Sequence, residues 1–205
     1  MLTFFHAPRS RSSRIRTLLT EMDLNDRVET RIVSIPRQEG SGGPDDANPH
    51  PDRKVPALIH DGALVTETSA IMLYLTDLFP EAGLGAPIGD PKRAEFLTWL
   101  AWYGDVMEPV IIAQAAGLDH PILRATFRGP AEMTARLEAA LARGPWLLGD
   151  RYSAADLLCA SPFLWFPDAT PDSPAIRDWV ARIGARPAYR RTAEMDEADL
   201  PSVTA

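Results

Sequence analysis

Apolar residues in the first part of the chain switch between runs that suit a strand and spacings that suit a helix. Leu2–His6 (LTFFH) is a short apolar run, read as a strand. Ile15, Leu18, Leu19 and Met22 follow at i, i+3, i+4 and i+7, one face of a helix. RVETRIVSI, residues 27–35, is rich in β-branched residues and predicts a second strand. Strand, helix, strand in that order favours parallel pairing through a right-handed crossover. Residues 36–52 are dense in Gly, Pro and Asp, a surface loop with room for one helical turn. VPALIH and ALVTE then flank Asp61-Gly62, the pair that a two-residue type I′ hairpin turn requires. Ile71, Tyr74, Leu75 and Leu78 share one face of a helix predicted over residues 65–78. The expected order is β-α-β, a loop, then β-β-α.

Residues 79–91 (FPEAGLGAPIGDP) form a Gly/Pro-rich connection, and after it the pattern is helical only. This sets the expected boundaries: a first domain over 1–79, a linker over 80–90, a helical domain over 91–193 and an acidic, loose tail over 194–205. Asp90-Pro91 is an N-cap followed by proline at the first helical position, and Pro109 should kink the helix that starts there. A second helical stretch over about 122–143 is interrupted at Gly129-Pro130. Ser153 and Asp156 have capping-box spacing, with Tyr152 and Leu157 placed for a hydrophobic staple. Ser173-Pro174 opens another helix, bearing Ile176, Trp179, Val180 and Ile183 on one face, and Pro187 limits it.

Composition narrows the function classes. The chain has 205 residues, 45% hydrophobic and 24% charged, with a formal net charge of −7. That charge gives no general attraction to nucleic acid or to anionic lipid. No apolar stretch approaches the roughly 20 residues that span a bilayer, and the N-terminal residues lack the order of a signal peptide. The expected location is cytoplasmic. The single cysteine, Cys159, excludes an internal disulfide and a Cys-x-x-Cys redox motif. It lies on a predicted core helix and is read as a small buried hydrophobe.

Three stretches could carry chemistry, and each has a plainer structural reading. Pro56 follows Val55 at a strand start, where proline belongs because it cannot donate to a ladder; a cis bond there would turn the backbone of Val55 outward. TETS, residues 66–69, stands where a helix begins. It can be a cap with an acidic complement to the helix dipole. Equally, hydroxyls and free N–H groups there can bind a carboxylate while Glu67 binds an ammonium, the two charges of an amino-acid head group. PRSRSSR, residues 8–14, lies at the strand-to-helix turn, with Ser10, Ser12 and Ser13 as candidate caps. A hydroxyl beside a helix N-terminus also stabilises an anion, a thiolate included.

These elements occur in one order. HAPRSRSSRIRTLL, then NPHPDRKVPALIHDGALVTETSAIMLYL, then a helical region with RYSAADLL, resembles the cytosolic glutathione S-transferases over nearly the whole chain. Within that family the pattern is nearer the serine-using theta-, zeta- and beta-like classes than the tyrosine classes. Phe4 and Phe5 stand where a tyrosine mechanism would need Tyr, and no Cys lies near the turn. The resemblance implies an α/β thioredoxin-like N-terminal domain, an all-α C-terminal domain, a cis Pro56 and a homodimer. It implies glutathione as co-substrate, with no permanently bound cofactor and no metal. Carried over by residue, Glu67 and Thr68 would grip the γ-glutamyl head and the backbone of Val55 would pair with the cysteinyl part. Lys54 would reach the glycyl carboxylate, with Arg53 and His50 as weaker candidates. Ser10, or else Ser12, would stabilise the thiolate, with Arg11 adding to the field. Asp105 would reach the partner's glutathione. Trp99, Trp102, Tyr103 and Met107 would wall the pocket of a hydrophobic electrophile. Isomerase or peroxidase activity, and a non-catalytic binding module, are the alternatives that the same scaffold allows.

Overall fold

Strand β1 (Leu2–His6) is buried along its whole length, because it is central in a sheet of order β2-β1-β3-β4. The computed structural model describes residues 1–200. Helix α1 (Ser13–Glu21) follows β1 and leads to β2 (Glu29–Ile32), which pairs with β1 in parallel as a crossover requires. β2 is shorter than the pattern over 27–35 suggests, since it is an edge strand with three of its four residues exposed. Strands β3 (Ala57–His60) and β4 (Ala63–Thr66) are antiparallel, and β3 runs antiparallel to β1. Between them Asp61 and Gly62 have φ of 47° and 86°, the two positive values of a type I′ turn. Helix α2 (Thr68–Leu78) begins later than its apolar face suggested, because Val65 and Thr66 are spent in β4. This is the thioredoxin-like arrangement expected.

The chain divides into two compact units: Met1–Leu75 with the segment from Arg186 on, and Thr76–Ala185. The first unit therefore includes the last helix, α9 (Pro187–Asp199), which packs on α1. Residues 194–199, expected to be loose, are its last turns, and residues 201–205 of that tail lie outside the described residues. The expectation failed because the buried stripe of α9 is Ala188, Thr192 and Asp196, which carries no apolar signal. Arg186, just before α9, holds Glu21 on α1 through two bonds, Nε to Oε1 at 2.5 Å and Nη2 to Oε2 at 2.7 Å.

The second unit is helical: α3 (Arg93–Trp102), α4 (Glu108–Ala115), α5 (Pro121–Phe127), α6 (Pro130–Leu141), α7 (Ala154–Trp165) and α8 (Pro174–Gly184). The kink expected at Pro109 takes the form of a π-helical turn over Tyr103–Met107, joining α3 to α4. Pro109 offers no N–H to the carbonyl one turn earlier and its ring crowds that carbonyl, so the helix widens before it. The capping box at α7 does more than cap. Asp156 accepts from Ser153 N–H at 3.0 Å and from Ser153 Oγ at 3.1 Å. Its other oxygen accepts from Leu147 N–H at 2.8 Å and Trp179 Nε1 at 3.0 Å. Burial raises its carboxyl to about 6, against the opposing pull of those four donors. Among the described residues no helix is long and apolar enough to cross a membrane.

Candidate active site

Three loops leave the sheet at the same end. Phe5 of β1 stands opposite Ala57 of β3, and Ala57 stands opposite Thr66 of β4. The chain runs out of β1 toward Ser10, into β3 from Pro56, and out of β4 to Glu67. The register thus gathers at one edge the three stretches that the sequence marks.

The turn after β1 is held from inside. Ser10 Oγ lies 2.7 Å from Ser12 Oγ, and Ser12 Oγ lies 2.8 Å from His6 Nδ1. His6 Nε2 lies 3.0 Å from Asp196 Oδ1 on α9. Ala7 N–H donates to Ser12 Oγ at 3.1 Å, and Ser12 N–H donates to Ser10 Oγ at 3.1 Å. Asp196 also accepts from Ser13 Oγ at 2.5 Å, from Arg9 N–H at 2.8 Å and from Arg16 Nη1 at 3.1 Å. Arg16 Nη2 reaches Asp199 at 2.7 Å. Burial works against the charge of Asp196, but the hydrogen bonds and charge around it prevail and hold its carboxyl at about 2. Burial lowers His6 below the usual imidazole value, outweighing the bond to Asp196. The buried pair is therefore a carboxylate facing a neutral imidazole.

Of the two candidate serines, Ser12 is 0% exposed and its hydroxyl is taken up by His6, Ala7 and Ser10, so it has no access to a ligand. Ser10 is half-buried. Ser12 occupies the N-cap position of α1 without making a side-chain cap, because its hydroxyl turns inward. Arg11 is exposed.

The loop into β3 is stapled by Asn48, which is 0% exposed. Its Nδ2 donates to the carbonyl of Lys54 at 3.0 Å, and its Oδ1 accepts from His50 N–H at 3.0 Å. Lys54 is exposed, Val55 half-buried, Pro56 buried, and the Val55–Pro56 bond is cis. His50 is buried and its Nδ1 accepts from Asp52 N–H at 3.0 Å. One of its ring nitrogens is thus used within the loop. Arg53 donates to the carbonyl of Asn48 and so also serves the loop.

Glu67 is exposed and has φ of 68°, the left-handed region that glycine favours. A long side chain held there carries backbone strain, of the kind that gathers at ligand clamps. Its carbonyl accepts Ile71 N–H at 2.9 Å in the first turn of α2, so its backbone starts the helix while its carboxylate stays outside. Thr68 is half-buried at the first position of α2. Among the described residues, neither the Glu67 carboxylate nor the Thr68 hydroxyl has a side-chain or backbone partner.

Trp99, Trp102, Tyr103 and Met107 are at most 7% exposed and belong to the core of the second unit. Trp99 and Trp102 meet edge to face, and Arg136 lies over both rings at 5.2 and 4.6 Å. The Tyr103 hydroxyl donates to Glu108 at 3.1 Å. These residues pack within the second unit. Asp105 is exposed on the π-helical turn. Cys159 is buried, as read.

Sequence reasoning missed His6, Asn48 and Asp196. Asn48 precedes a proline in a turn-rich loop, a weak signal. Asp196 lies 190 residues from His6, a pairing that no local pattern can disclose. Among the described residues no cluster of His, Cys, Asp and Glu could hold a metal ion.

Comparison with known proteins places the two parts of the chain in one family. Residues 4–83 match the N-terminal domain of glutathione S-transferase, and residues 119–187 match its C-terminal domain. Protein LigF from a Sphingobium species is 28% identical, with 73% of this chain and 77% of that protein covered. The disulfide-bond oxidoreductase YfcG of Escherichia coli is also 28% identical, over 92% of each chain. A glutathione transferase from Methylococcus capsulatus has a crystal structure that superposes with a TM-score of 0.76 at 29% identity, covering 97% of this chain and 100% of that one. A sphingomonad glutathione S-transferase in complex with glutathione gives a TM-score of 0.75 at 25% identity, over 95% and 98% of the two chains. The fold, the matching of both domains and the cis-proline, Glu67 and Ser10 gathered at one sheet edge lead to one conclusion: this chain is an enzyme of the glutathione S-transferase family.

Proposed function

We propose that the first unit binds glutathione and activates its thiol for attack on a hydrophobic electrophile. The observation that carries this reading is the Glu67 carboxylate, exposed and unpartnered on a left-handed residue at the N-terminus of α2. Glu67 takes the ammonium of the γ-glutamyl group, and Thr68 with the N–H groups of the first turn takes its carboxylate. The backbone of Val55, at the cis bond, pairs with the cysteinyl part, and Lys54 reaches the glycyl carboxylate. Ser10 meets the sulfur. Lowering a thiol pKa from ~8.5 by about two units takes about 2.7 kcal/mol of preference for the thiolate. One charge-assisted hydrogen bond supplies roughly 1.5–3 kcal/mol. Similarity to a disulfide-bond oxidoreductase favours a second reading, in which the same thiolate attacks a disulfide. With Cys159 buried, that exchange would run between glutathione and substrate sulfurs alone. A panel of electrophiles and disulfides, with and without glutathione, separates the two.

Two substitutions separate binding from activation. Glu67→Lys sets like charges together at the ligand ammonium, and calorimetry should show glutathione affinity reduced at least ~10-fold. Ser10→Ala should leave that affinity within about twofold and lower the conjugation rate by roughly 10-fold or more. No heat and no competition from millimolar glutathione with the unaltered protein would sink the transferase reading in favour of a binding module.

The reading includes a cytoplasmic homodimer, in which Asp105 reaches the partner's ligand. Light scattering should give twice the chain mass, and a species near 22.5 kDa at micromolar concentration contradicts the dimer.

A further inference from the structure

We propose that Asp196, His6 and Ser12 form a reversible hydrogen-bond relay that takes the thiol proton from Ser10 into the protein, so that thiol ionisation and His6 protonation are one event. The inference rests on the reading that Ser10 meets the sulfur, and it follows from counting protons along the chain of contacts. Asp196 is a carboxylate and can only accept, so His6 Nε2, at 3.0 Å, carries a hydrogen and donates. A neutral imidazole then has a lone pair on Nδ1, and Ser12 Oγ at 2.8 Å must donate to it. A hydroxyl has one proton. The 2.7 Å contact between Ser10 and Ser12 is therefore made with the proton of Ser10. The Ala7 carbonyl, at 3.2 Å from Ser12 Oγ, is the longer alternative acceptor for the Ser12 proton. With that proton on His6 Nδ1, Ser12 donates once and accepts from Ser10 and from Ala7 N–H. Ser10 Oγ already accepts Ser12 N–H and is left with a lone pair.

In this resting state Ser10 offers the ligand an acceptor. A lone pair suits a thiol S–H and repels a thiolate. For Ser10 to donate to a thiolate without losing its contact to Ser12, every bond in the chain must reverse. Ser10 then donates to sulfur, Ser12 donates to Ser10, and His6 Nδ1–H donates to Ser12. That state is what passing the thiol proton inward produces. The S–H bond breaks and a Ser10 O–H forms. The former Ser10 proton goes to Ser12, and the former Ser12 proton goes to His6 Nδ1. The products are a thiolate and an imidazolium, with no atom or electron gained or lost. No hydrogen bond of the relay is given up. Asp196 and Asp199 on α9 face the new charge favourably, and Arg16 on α1 opposes it. His6, Ser12 and Asp196 are positioning residues: they set which way the Ser10 proton points.

The test uses the full chain labelled with ¹⁵N-histidine. Of its four histidines, His6 is assigned by the signal lost in His6→Gln. Glutathione should convert the His6 Nδ1 signal from unprotonated to protonated while thiolate absorbance appears. S-methylglutathione fills the same site without a thiol proton and should leave His6 neutral. Ser12→Ala should still bind glutathione, keep His6 neutral and lower the thiolate fraction at neutral pH by roughly tenfold, one pKa unit. Thiolate absorbance with an unmoved His6 signal in the unaltered protein overturns the relay and leaves the glutathione reading intact. The same response to S-methylglutathione also overturns it, since ligand contact and not the proton would then be the cause. Failure of the unaltered protein to bind glutathione removes both readings together.

Discussion

Asp196→Ala is expected to destabilise the protein by roughly 3–5 kcal/mol at neutral pH, the range for removing one partner of a buried ion pair. The substitution removes one of the two carboxylates that face the buried Arg16 guanidinium, leaving only Asp199. It also orphans three donors: His6 Nε2, the Ser13 hydroxyl and Arg9 N–H. Chemical denaturation of the two proteins measures the loss, and a difference below about 1 kcal/mol would show the cluster to be energetically idle. The pH profile gives an independent signature. The folded-state value of about 2 lies below the roughly 3.9 of an unfolded Asp. The contribution of the carboxylate is thus complete above pH ~4, and is lost as pH falls through 2. The unaltered protein should show that acid limb, worth about 2–3 kcal/mol, and Asp196→Ala should lack it.

Asp156→Ala should be comparably severe, at about 3–5 kcal/mol, because four donors from three parts of the second unit converge on one buried carboxyl. Leu147 N–H, Ser153 and Trp179 Nε1 would each face an apolar methyl, and Trp179 is itself 0% exposed. The pH dependence runs opposite to that of Asp196. Raised to about 6 in the fold, Asp156 favours the protonated form. Its contribution is full below pH ~4 and declines as pH rises through 6. Asp156→Asn cannot titrate and should flatten that segment, which thermal melts between pH 4 and 7 would read. An unchanged slope would mean that the four donors keep Asp156 ionised throughout.

Much of the fold was legible because its elements are amphipathic. Strands β1, β3 and β4, the type I′ turn, the capping box at α7 and the α5–α6 break all carry local signals, and each formed where those signals lie. The registers of β1, β3 and β4 then carry the marked loops to one edge with no further instruction. The misses share a cause. α9 is held by Asp196 and Arg186 through polar contacts to residues distant in the chain, and a helix anchored by charge leaves no hydrophobic period to read. Trp99 and Trp102 show a different limit. Aromatic residues on a helix say that a face is buried, but not whether protein or ligand buries it. Within PRSRSSR, three serines in four positions look alike, and only the inward turn of Ser12 onto His6 sets it apart from Ser10.

The first unit is discontinuous in the chain, and this gives its biosynthesis an order. His6 and Arg16 are translated before Asp196, the carboxylate that both face, which lies 190 residues after His6. At ~5–20 residues per second, Asp196 is made roughly 10–40 seconds later. Over that interval the nascent β1 and α1 carry a guanidinium and an imidazole that have nothing acidic of α9 to close on. The helical unit, contiguous from Thr76 to Ala185, has no such dependence and is complete in sequence first. The half of the protein that is translated first is thus the half that must wait to be finished.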